Sequence, residues 1–205
     1  MIGDKVLIKD KHIANAETIF NNIQIIPKMV IAISGPSGSG KSGTAIVLAS
    51  KLTVLGHSVY VLSADNYAKL PPRDNEKYRK TIHNLKEYLG SNDEIYFYRL
   101  NNIVQKFKQK EKIINLRIMN NSKNCIEYES KVINFANKDI LIIEGTWSMK
   151  IKGIDFCVFL DAHISETLKH REERGRDPIS KFGEYALQIE YNKLIKLKDS
   201  INLII

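Results

Sequence analysis

The feature that most constrains this chain is a glycine-rich loop at residues 35–42, which reads Gly-Pro-Ser-Gly-Ser-Gly-Lys-Ser. The loop satisfies the pattern GxxxxGK[ST], which is a strong signal where a strand precedes it and a helix follows it. Here the apolar run MVIAIS precedes the loop, and a segment rich in Ala, Leu and Val at helical spacing follows it. The sequence therefore predicts a strand, a phosphate-binding turn and a helix in direct succession.

The chemistry of such a loop assigns roles to its residues. Its backbone N–H groups and the positive end of the helix dipole surround phosphate oxygens. We expect Lys41 to reach the β- and γ-phosphates of a bound nucleotide and the Ser42 hydroxyl to bind Mg²⁺. The residues predicted to bind the nucleotide are Gly35, Ser37, Gly38, Ser39, Gly40, Lys41, Ser42 and Gly43.

Short apolar runs alternate with helical patterns along the rest of the chain. Strands are predicted at 29–34, 58–62, 139–145, 155–161 and 201–205, and helices at 43–55, 100–110, 163–174 and 182–197. The segment 64–79 is predicted to be irregular because of Pro71 and Pro72, and 113–130 is predicted to form a hairpin. The alternation indicates an α/β fold, the three-layer sandwich of phosphate-loop NTPases with a mostly parallel five-stranded sheet.

The length and composition fit one compact domain over residues 1–205, with 1–28 as an N-terminal extension that could add a strand and a helix. The net charge of +8 attracts anions, but without a nucleic-acid motif it indicates a lysine-rich solvated surface rather than a nucleic-acid partner. Cys125 and Cys157 lack zinc-binding spacing. The absence of an apolar signal or membrane-spanning run makes the cytoplasm the expected location.

Two carboxylates fall at the ends of predicted strands, where open α/β sheets place their ligands. Asp65 lies just beyond the second strand and is the candidate base for an acceptor hydroxyl. Glu144 ends the run ILII before Gly145, a setting typical of an acid that holds Mg²⁺ directly or through water. Ser42 and Glu144 are therefore the predicted metal residues, although an isolated acid at a strand end could equally be a capping or surface group.

Three arginines, Arg171, Arg174 and Arg176, lie in HREERGRDP. Arginines on a mobile segment can stabilise charge on a transferring phosphoryl group. Arg174 and Arg176 are therefore the catalytic candidates, and Arg171 is predicted to bind the nucleotide. The alternative is a solvated helix end where Arg pairs with Glu172 and Glu173.

Other polar and aromatic residues give weaker signals. His83 and His170 are interpreted as surface residues. Trp147 either lines the acceptor pocket or packs in the core.

Over residues 28–205 the chain resembles the uridine kinase and phosphoribulokinase branch of the phosphate-loop kinases. The resemblance rests on GPSGSGKS, on SADNY with Asp65 and Tyr67, on LIIEG with Glu144 and on ERGRD. It implies binding of ATP with Mg²⁺, Asp65 as the base, and a lid at about 168–180. It also suggests that the hairpin and the 66–79 connection shape the acceptor pocket, with Tyr67, Arg73 and Arg117 as contacts.

The leading interpretation is an ATP- and Mg²⁺-dependent kinase that phosphorylates a hydroxyl of a small molecule, with a nucleoside among the candidates. Uridine kinases differ where this chain reads INLRIMN, so the acceptor stays open. GHSVYVLSADN is similar to adenylylsulfate kinases, which provides an alternative acceptor. A regulatory NTP-hydrolysing switch and a nucleotide-binding scaffold are further alternatives, although no NKxD motif for guanine is present.

Overall fold

Five parallel strands form the central sheet of the computed structural model, which describes residues 6–120, 127–174, 179–197 and 201–205. The strands of the protein are β1 (Met29–Ser34), β2 (Val59–Ser63), β3 (Ile114–Asn120), β4 (Glu127–Ile133), β5 (Ile140–Glu144), β6 (Phe156–Phe159) and β7 (Leu203–Ile204). The central sheet has the order β2-β5-β1-β6-β7, while β3 and β4 form a separate antiparallel pair. The predicted five-stranded α/β sheet is confirmed.

Helices cover both faces of this sheet. They are α1 (Asp10–Asn22), α2 (Lys41–Val54), α3 (Pro72–Arg79), α4 (Leu85–Tyr88), α5 (Phe97–Lys108), α6 (Ile164–Arg174) and α7 (Lys181–Ile195), with short 3-10 helices at Ala64–Tyr67 and Ser148–Lys150.

Residues of β1 and β5 are buried throughout, as expected for central parallel strands with helices on both faces. Their side chains alternate between two hydrophobic cores. Ile140 and Ile142 join the core under α1 and α2, whereas Leu141 and Ile143 join the core under α5 and α7. The predicted three-layer sandwich is therefore confirmed.

The register of the strands brings their carboxyl ends to one edge. Glu144 is the Cα partner of Ile33 on one side and of Ser63 on the other. The turn after β1, the turn after β2 and the end of β5 consequently meet there, which is where open α/β sheets bind ligands.

The N-terminal extension contributes α1, whose Ala16 and Ile19 are buried in the same core as Leu48 and Leu52 of α2. The predicted helix in 1–28 is thus present. Within the described residues 6–28 no strand accompanies it.

The prediction of an irregular segment at 64–79 is wrong in its second half, which forms α3. Pro72 occupies the first turn of that helix, where the missing N–H would have no intrahelical partner and the fixed φ suits the helix. The predicted hairpin is confirmed as β3 and β4, and its turn at 121–126 lies outside the described residues. In the described parts of the chain, no helix is long and apolar enough to cross a membrane.

Candidate active site

The glycine-rich loop connects β1 to α2 and requires glycine for two separate reasons. Gly38 and Gly40 have φ values of 82° and 103°, which residues with a Cβ rarely adopt. A Cβ on Gly38 would lie 2.8 Å from Cγ of Arg171, and one on Gly40 would lie 2.9 Å from the ring of His12. Neighbouring side chains therefore pack directly against the backbone of the loop.

Lys41 begins α2 and is 8% exposed. Its Nζ donates a hydrogen bond to the carbonyl oxygen of Pro36 at 2.7 Å, which holds the ammonium group close to the loop. A charged group held at a helix N-terminus beside a ring of N–H groups is suited to neutralise phosphate.

Ser42 and Glu144 are in direct contact: Oγ of Ser42 donates to Oε2 of Glu144 at 3.0 Å, and Glu144 is 5% exposed. A hydroxyl and a carboxylate are the oxygen donors that Mg²⁺ prefers, and this ion usually takes one or two protein oxygens with the remainder from phosphates and water. These residues therefore fit the metal. The described residues contain no cluster of three or more His, Cys, Asp or Glu that could hold a metal by itself.

Asp65 lies in the 3-10 helix that follows β2, and it is half-buried. The Cβ position of Gly145, at the end of β5, is 3.6 Å from Oδ1 of Asp65. Asn66 anchors this turn, because its Oδ1 accepts a hydrogen bond from the backbone N–H of Met119 in β3 at 3.0 Å. The carboxylate is thus fixed at the edge of the sheet beside Glu144.

A cavity of about 140 Å³ opens between the phosphate loop, α3 and α7. Its lining comprises Ser37, Asp65, Ala68, Leu70, Asn75, Glu76, Arg79, Glu94, Ile95, Thr146, Trp147, Arg171, Phe182, Gly183, Ala186, Leu187 and Glu190. Since one water needs about 10–15 Å³ measured in this way, the cavity has room for about ten water-sized groups. Ser37 of the loop and Asp65 share this cavity.

Trp147 lines the cavity and is also packed in the core, whereas its contact with an acceptor stays a prediction. Its ring lies against Gly90, where a Cβ would come within 2.6 Å of ring atoms. The ammonium groups of Lys150 and Lys193 lie 5.8 and 5.7 Å from the ring centroid. Burial lowers the pKa of both lysines.

Arg79 forms an ion cluster with two buried carboxylates, and this cluster borders Trp147 through Gly90. Its Nη2 lies 2.5 Å from Oε1 of Glu94 and 2.7 Å from Oε1 of Glu190, and Oε2 of Glu94 accepts from the N–H of Gly90 at 2.6 Å. Burial opposes the Arg79 charge, but the charges of Glu190 and Glu94 outweigh it and raise the pKa of Arg79. Sequence reasoning missed this cluster because its members come from α3, the loop before α5, and α7.

Arg171 lines the cavity and pairs with α7. Its Nη1 and Nη2 donate to the two carboxylate oxygens of Glu184 at 2.6 and 3.1 Å, and its Nε donates to Thr167. The alternative prediction that Arg171 pairs with Glu172 and Glu173 is therefore wrong. Glu173 pairs with Lys9, whose Nζ lies 2.5 Å from Oε2 of Glu173. The side chain of Arg174 and the whole of Arg176 lie outside the described residues.

Tyr67 and Arg117, two other predicted acceptor contacts, do not line the described cavity. Tyr67 is 2% exposed and belongs to the core, where burial raises its pKa to about 12. The guanidinium of Arg117 stacks 3.3 Å from the ring centroid of Tyr128 and lines a separate, open groove. The side chain of Arg73 lies outside the described residues. The roles of these residues stay predictions.

Two histidines contact the phosphate loop, and sequence reasoning missed both. His12 of α1 is 1% exposed, and its ring covers Gly40 and Gly43. Burial, followed by the charge of Lys11, lowers the pKa of His12 to about 4. His170 was interpreted as a surface residue, which is wrong, because it is half-buried and its Nδ1 lies 2.8 Å from the carbonyl oxygen of Gly38.

A phosphate loop that opens onto a cavity with its own carboxylate provides separate places for a phosphoryl donor and an acceptor. The fold and this arrangement define a P-loop small-molecule kinase. The chain belongs to the phosphoribulokinase/uridine kinase family, whose sequence model matches residues 30–189.

Similar proteins include kinases of several kinds. The bifunctional alpha-galactosidase/sucrose kinase AgaSK of Mediterraneibacter gnavus is 31% identical over 188 residues, which are 87% of this chain. The chain spans about a fifth (20%) of the length of that protein.

The fold is shared with solved structures of other proteins. A possible uridine kinase from Bacillus stearothermophilus has a TM-score of 0.60 at 21% identity, covering 95% of this chain and 97% of the other. The D-glycerate 3-kinase from Cryptococcus neoformans var. grubii has a TM-score of 0.55 at 13% identity, covering 94% of this chain and 86% of the other.

Proposed function

We propose that this chain transfers the γ-phosphoryl group of ATP, with Mg²⁺, to a hydroxyl group of a small molecule held in the cavity. The observation that carries the proposal is that Ser37 of the phosphate loop and Asp65 line the same cavity. A donor on the loop and an acceptor beside Asp65 would therefore meet without a large rearrangement.

In the proposed reaction Asp65 accepts the proton of the acceptor hydroxyl as its oxygen attacks the γ-phosphorus of ATP. The bond between the γ-phosphorus and the β,γ-bridging oxygen breaks, and the electron pair leaves with ADP. Lys41 and the N–H groups of the loop neutralise the charge that develops on the phosphoryl oxygens. Arg171 lies close enough to the loop to assist, and Arg174 and Arg176 are the proposed lid arginines.

Ser42 and Glu144 are the proposed holders of Mg²⁺, which would neutralise negative charge on the phosphates of ATP. The hydrogen bond between them at 3.0 Å supports this assignment, because it places two oxygen donors next to each other at the start of α2.

The names of the similar proteins support a small-molecule alcohol as acceptor, since they include a bifunctional alpha-galactosidase/sucrose kinase, a possible uridine kinase and a D-glycerate 3-kinase. A nucleoside stays one candidate. Two alternatives must be separated by experiment: an anionic acceptor, as in adenylylsulfate kinases, and a switch that hydrolyses the nucleotide without an acceptor. The cytoplasm stays the expected location.

A coupled ADP-release assay with Mg²⁺ and ATP against a panel of acceptors tests the proposal. Asp65→Asn should reduce acceptor-dependent turnover by a factor of about 100 or more while ATP binding is retained. Asp93→Asn is the matched control, because the side chain of Asp93 is 85% exposed and does not line the cavity.

ADP release that depends on neither acceptor nor Asp65 would favour a hydrolytic switch. ATP binding without any turnover would favour a scaffold.

A further inference from the structure

A groove lies beside the hairpin of β3 and β4, apart from the cavity that holds Asp65. It measures about 520 Å³ and is lined by Lys69, Tyr96, Arg99, Asn115, Leu116, Arg117, Tyr128, Glu129 and Ser130. In the described part of the chain, none of these residues also lines the cavity. The groove is open to solvent, so a dissolved ligand can enter it.

Three cations of this groove surround one aromatic ring. Nζ of Lys69 lies 5.6 Å from the ring centroid of Tyr96. Cζ of Arg99 and Cζ of Arg117 lie 4.9 and 5.2 Å from the same centroid. No two of these positive centres are therefore more than about 11 Å apart, and they repel one another. The face of the ring attracts each cation, which offsets part of the repulsion.

The two arginines of the groove have neutral partners. Nε of Arg99 donates to the hydroxyl of Tyr98 at 2.9 Å, and the guanidinium of Arg117 stacks on Tyr128. Among the described residues, no carboxylate forms an ion pair with either arginine. Stacking fixes the plane of a guanidinium and leaves the N–H groups at its edge to donate to the oxygens of an anion.

Two carboxylates lie near the groove. Asp93 is 4.0 Å from Nζ of Lys69, and this pair contributes little because the side chain of Asp93 is 85% exposed. Glu129 lines the groove, but its Oε1 accepts a hydrogen bond from Asn120 at 2.7 Å. Since Arg117 pairs with residue 130 and side chains alternate along a strand, Glu129 and Arg117 point to opposite faces of the hairpin. Both acids counted against the three cations still leave the groove positive.

The groove and the cavity share a wall. Ala68 and Ile95 form an antiparallel bridge, which pairs two extended segments. Alternate residues of these segments face the two spaces: Ala68, Leu70 and Ile95 line the cavity, and Lys69 and Tyr96 line the groove. The first segment continues directly from the 3-10 helix that carries Asp65.

We propose that the groove is a second ligand site, which binds the phosphate group of a small molecule other than the nucleotide on the loop and the acceptor in the cavity. A phosphate monoester carries a charge of about −1.5 to −2, which matches a cluster of three cations. The hydroxyl of Ser130 and the amide of Asn115 add neutral hydrogen-bonding groups.

The shared wall makes the bound molecule an effector, because a ligand that shifts Lys69 or Tyr96 moves the segments that shape the cavity. Arg117 contacts this ligand rather than the acceptor. The inference goes beyond the proposed function, and binding to the groove does not depend on it.

Calorimetric titration of protein whose phosphate loop is already filled with ADP and Mg²⁺ tests the site. The probes are inorganic phosphate, ribose 5-phosphate and UMP, with uridine as the neutral partner of UMP. Ribose 5-phosphate and UMP distinguish a sugar phosphate from a nucleotide as the source of the phosphate group. We expect at least one of these two probes to bind through the groove.

Lys69→Gln and Arg99→Gln should each weaken binding of that probe about tenfold, because each removes a charge-assisted hydrogen bond. The fold of Arg99→Gln should be retained, since Arg99 is exposed. Lys131→Gln is the matched control. It removes a positive charge from the same hairpin, but Lys131 pairs with Leu116, points to the face opposite Arg117 and does not line the groove. Its affinity for the probe should equal that of the unmodified protein, and uridine should show no dependence on Lys69 or Arg99.

The site would be overturned if no phosphate probe bound at millimolar concentration, or if Lys69→Gln and Arg99→Gln bound the probe as tightly as the unmodified protein. With the groove filled, the KM of the acceptor should change about fivefold or more, and this change should be lost in Arg99→Gln. An unchanged KM would overturn the effector role and leave the site standing. A protein that binds the probe through the groove but phosphorylates no acceptor would overturn the proposed function alone.

Discussion

Replacing Arg79 by methionine should destabilise the protein severely, because it leaves Glu94 and Glu190 buried without their shared cation. Both carboxylates lie within 2.7 Å of the same nitrogen, so their oxygens are less than about 5.5 Å apart. Two negative charges about 5 Å apart repel by about 3 kcal/mol at an effective dielectric constant of about 20. Breaking a buried ion pair by removing one partner costs about 3–5 kcal/mol, which agrees with this figure.

The loss in Arg79→Met should depend on pH. The folded variant can relieve the repulsion by binding a proton that the unfolded chain does not bind at neutral pH. Its stability therefore falls as pH rises, and the deficit relative to the unmodified protein should be larger at pH 8 than at pH 6.

Urea unfolding at pH 6 and at pH 8 measures the loss of stability at each pH. In thermal unfolding at pH 8, the melting temperature should fall by about 6–20 °C for a chain of this length. Lys106→Met is the control, since it removes a partly exposed pair with Glu111 and should cost less than about 1 kcal/mol. The role of Arg79 would be contradicted if the free energy of unfolding of Arg79→Met lay within about 1 kcal/mol of that of the unmodified protein at pH 8. A loss of stability that did not depend on pH would contradict it as well.

Three further predictions concern the loop, the cavity wall and the metal residues. Because His12 has a folded pKa of about 4 and an ordinary value of 6.5, its contribution to stability is present above pH 6.5 and lost towards pH 4. His12→Phe should remove up to about 3 kcal/mol of that acid sensitivity in urea unfolding at pH 4.5 and 7.5. Gly90→Ala should raise KM for the acceptor but not for ATP in steady-state kinetics, because the added Cβ displaces Trp147. Glu144→Gln should raise the Mg²⁺ concentration for half-maximal rate by about tenfold or more in a metal titration, whereas an unchanged midpoint would remove Glu144 from the metal site.

The parts of the fold that could be predicted are those with local signals. The phosphate loop was predictable because glycines, Lys41 and Ser42 sit in consecutive positions, and β1 and β5 were predictable because fully buried parallel strands are continuous apolar runs. Glu144 followed from its place at the end of such a run, and its contact with Ser42 agrees with that placement. These features can be recognised from residues that are adjacent in the sequence.

The features that sequence reasoning missed depend on contacts between distant segments. Arg79 and Glu190 are 111 positions apart, and nothing in the sequence near either residue indicates the other. His12 contacts Gly40 and Gly43 only because α1 packs on α2, and a lone histidine in a polar helix gives no signal of this. The presence of His12 beside the loop could not be read from periodicity.

Following the γ-phosphate of ATP distinguishes transfer to an organic hydroxyl from hydrolysis by water. The protein is incubated with ATP labelled in the γ-phosphate, Mg²⁺ and the panel of acceptors, and the products are separated. We expect label in a phosphorylated organic product, and we expect this product to be lost in Asp65→Asn and retained in Asp93→Asn. Label found only in inorganic phosphate, at the same rate with and without acceptor, would contradict it.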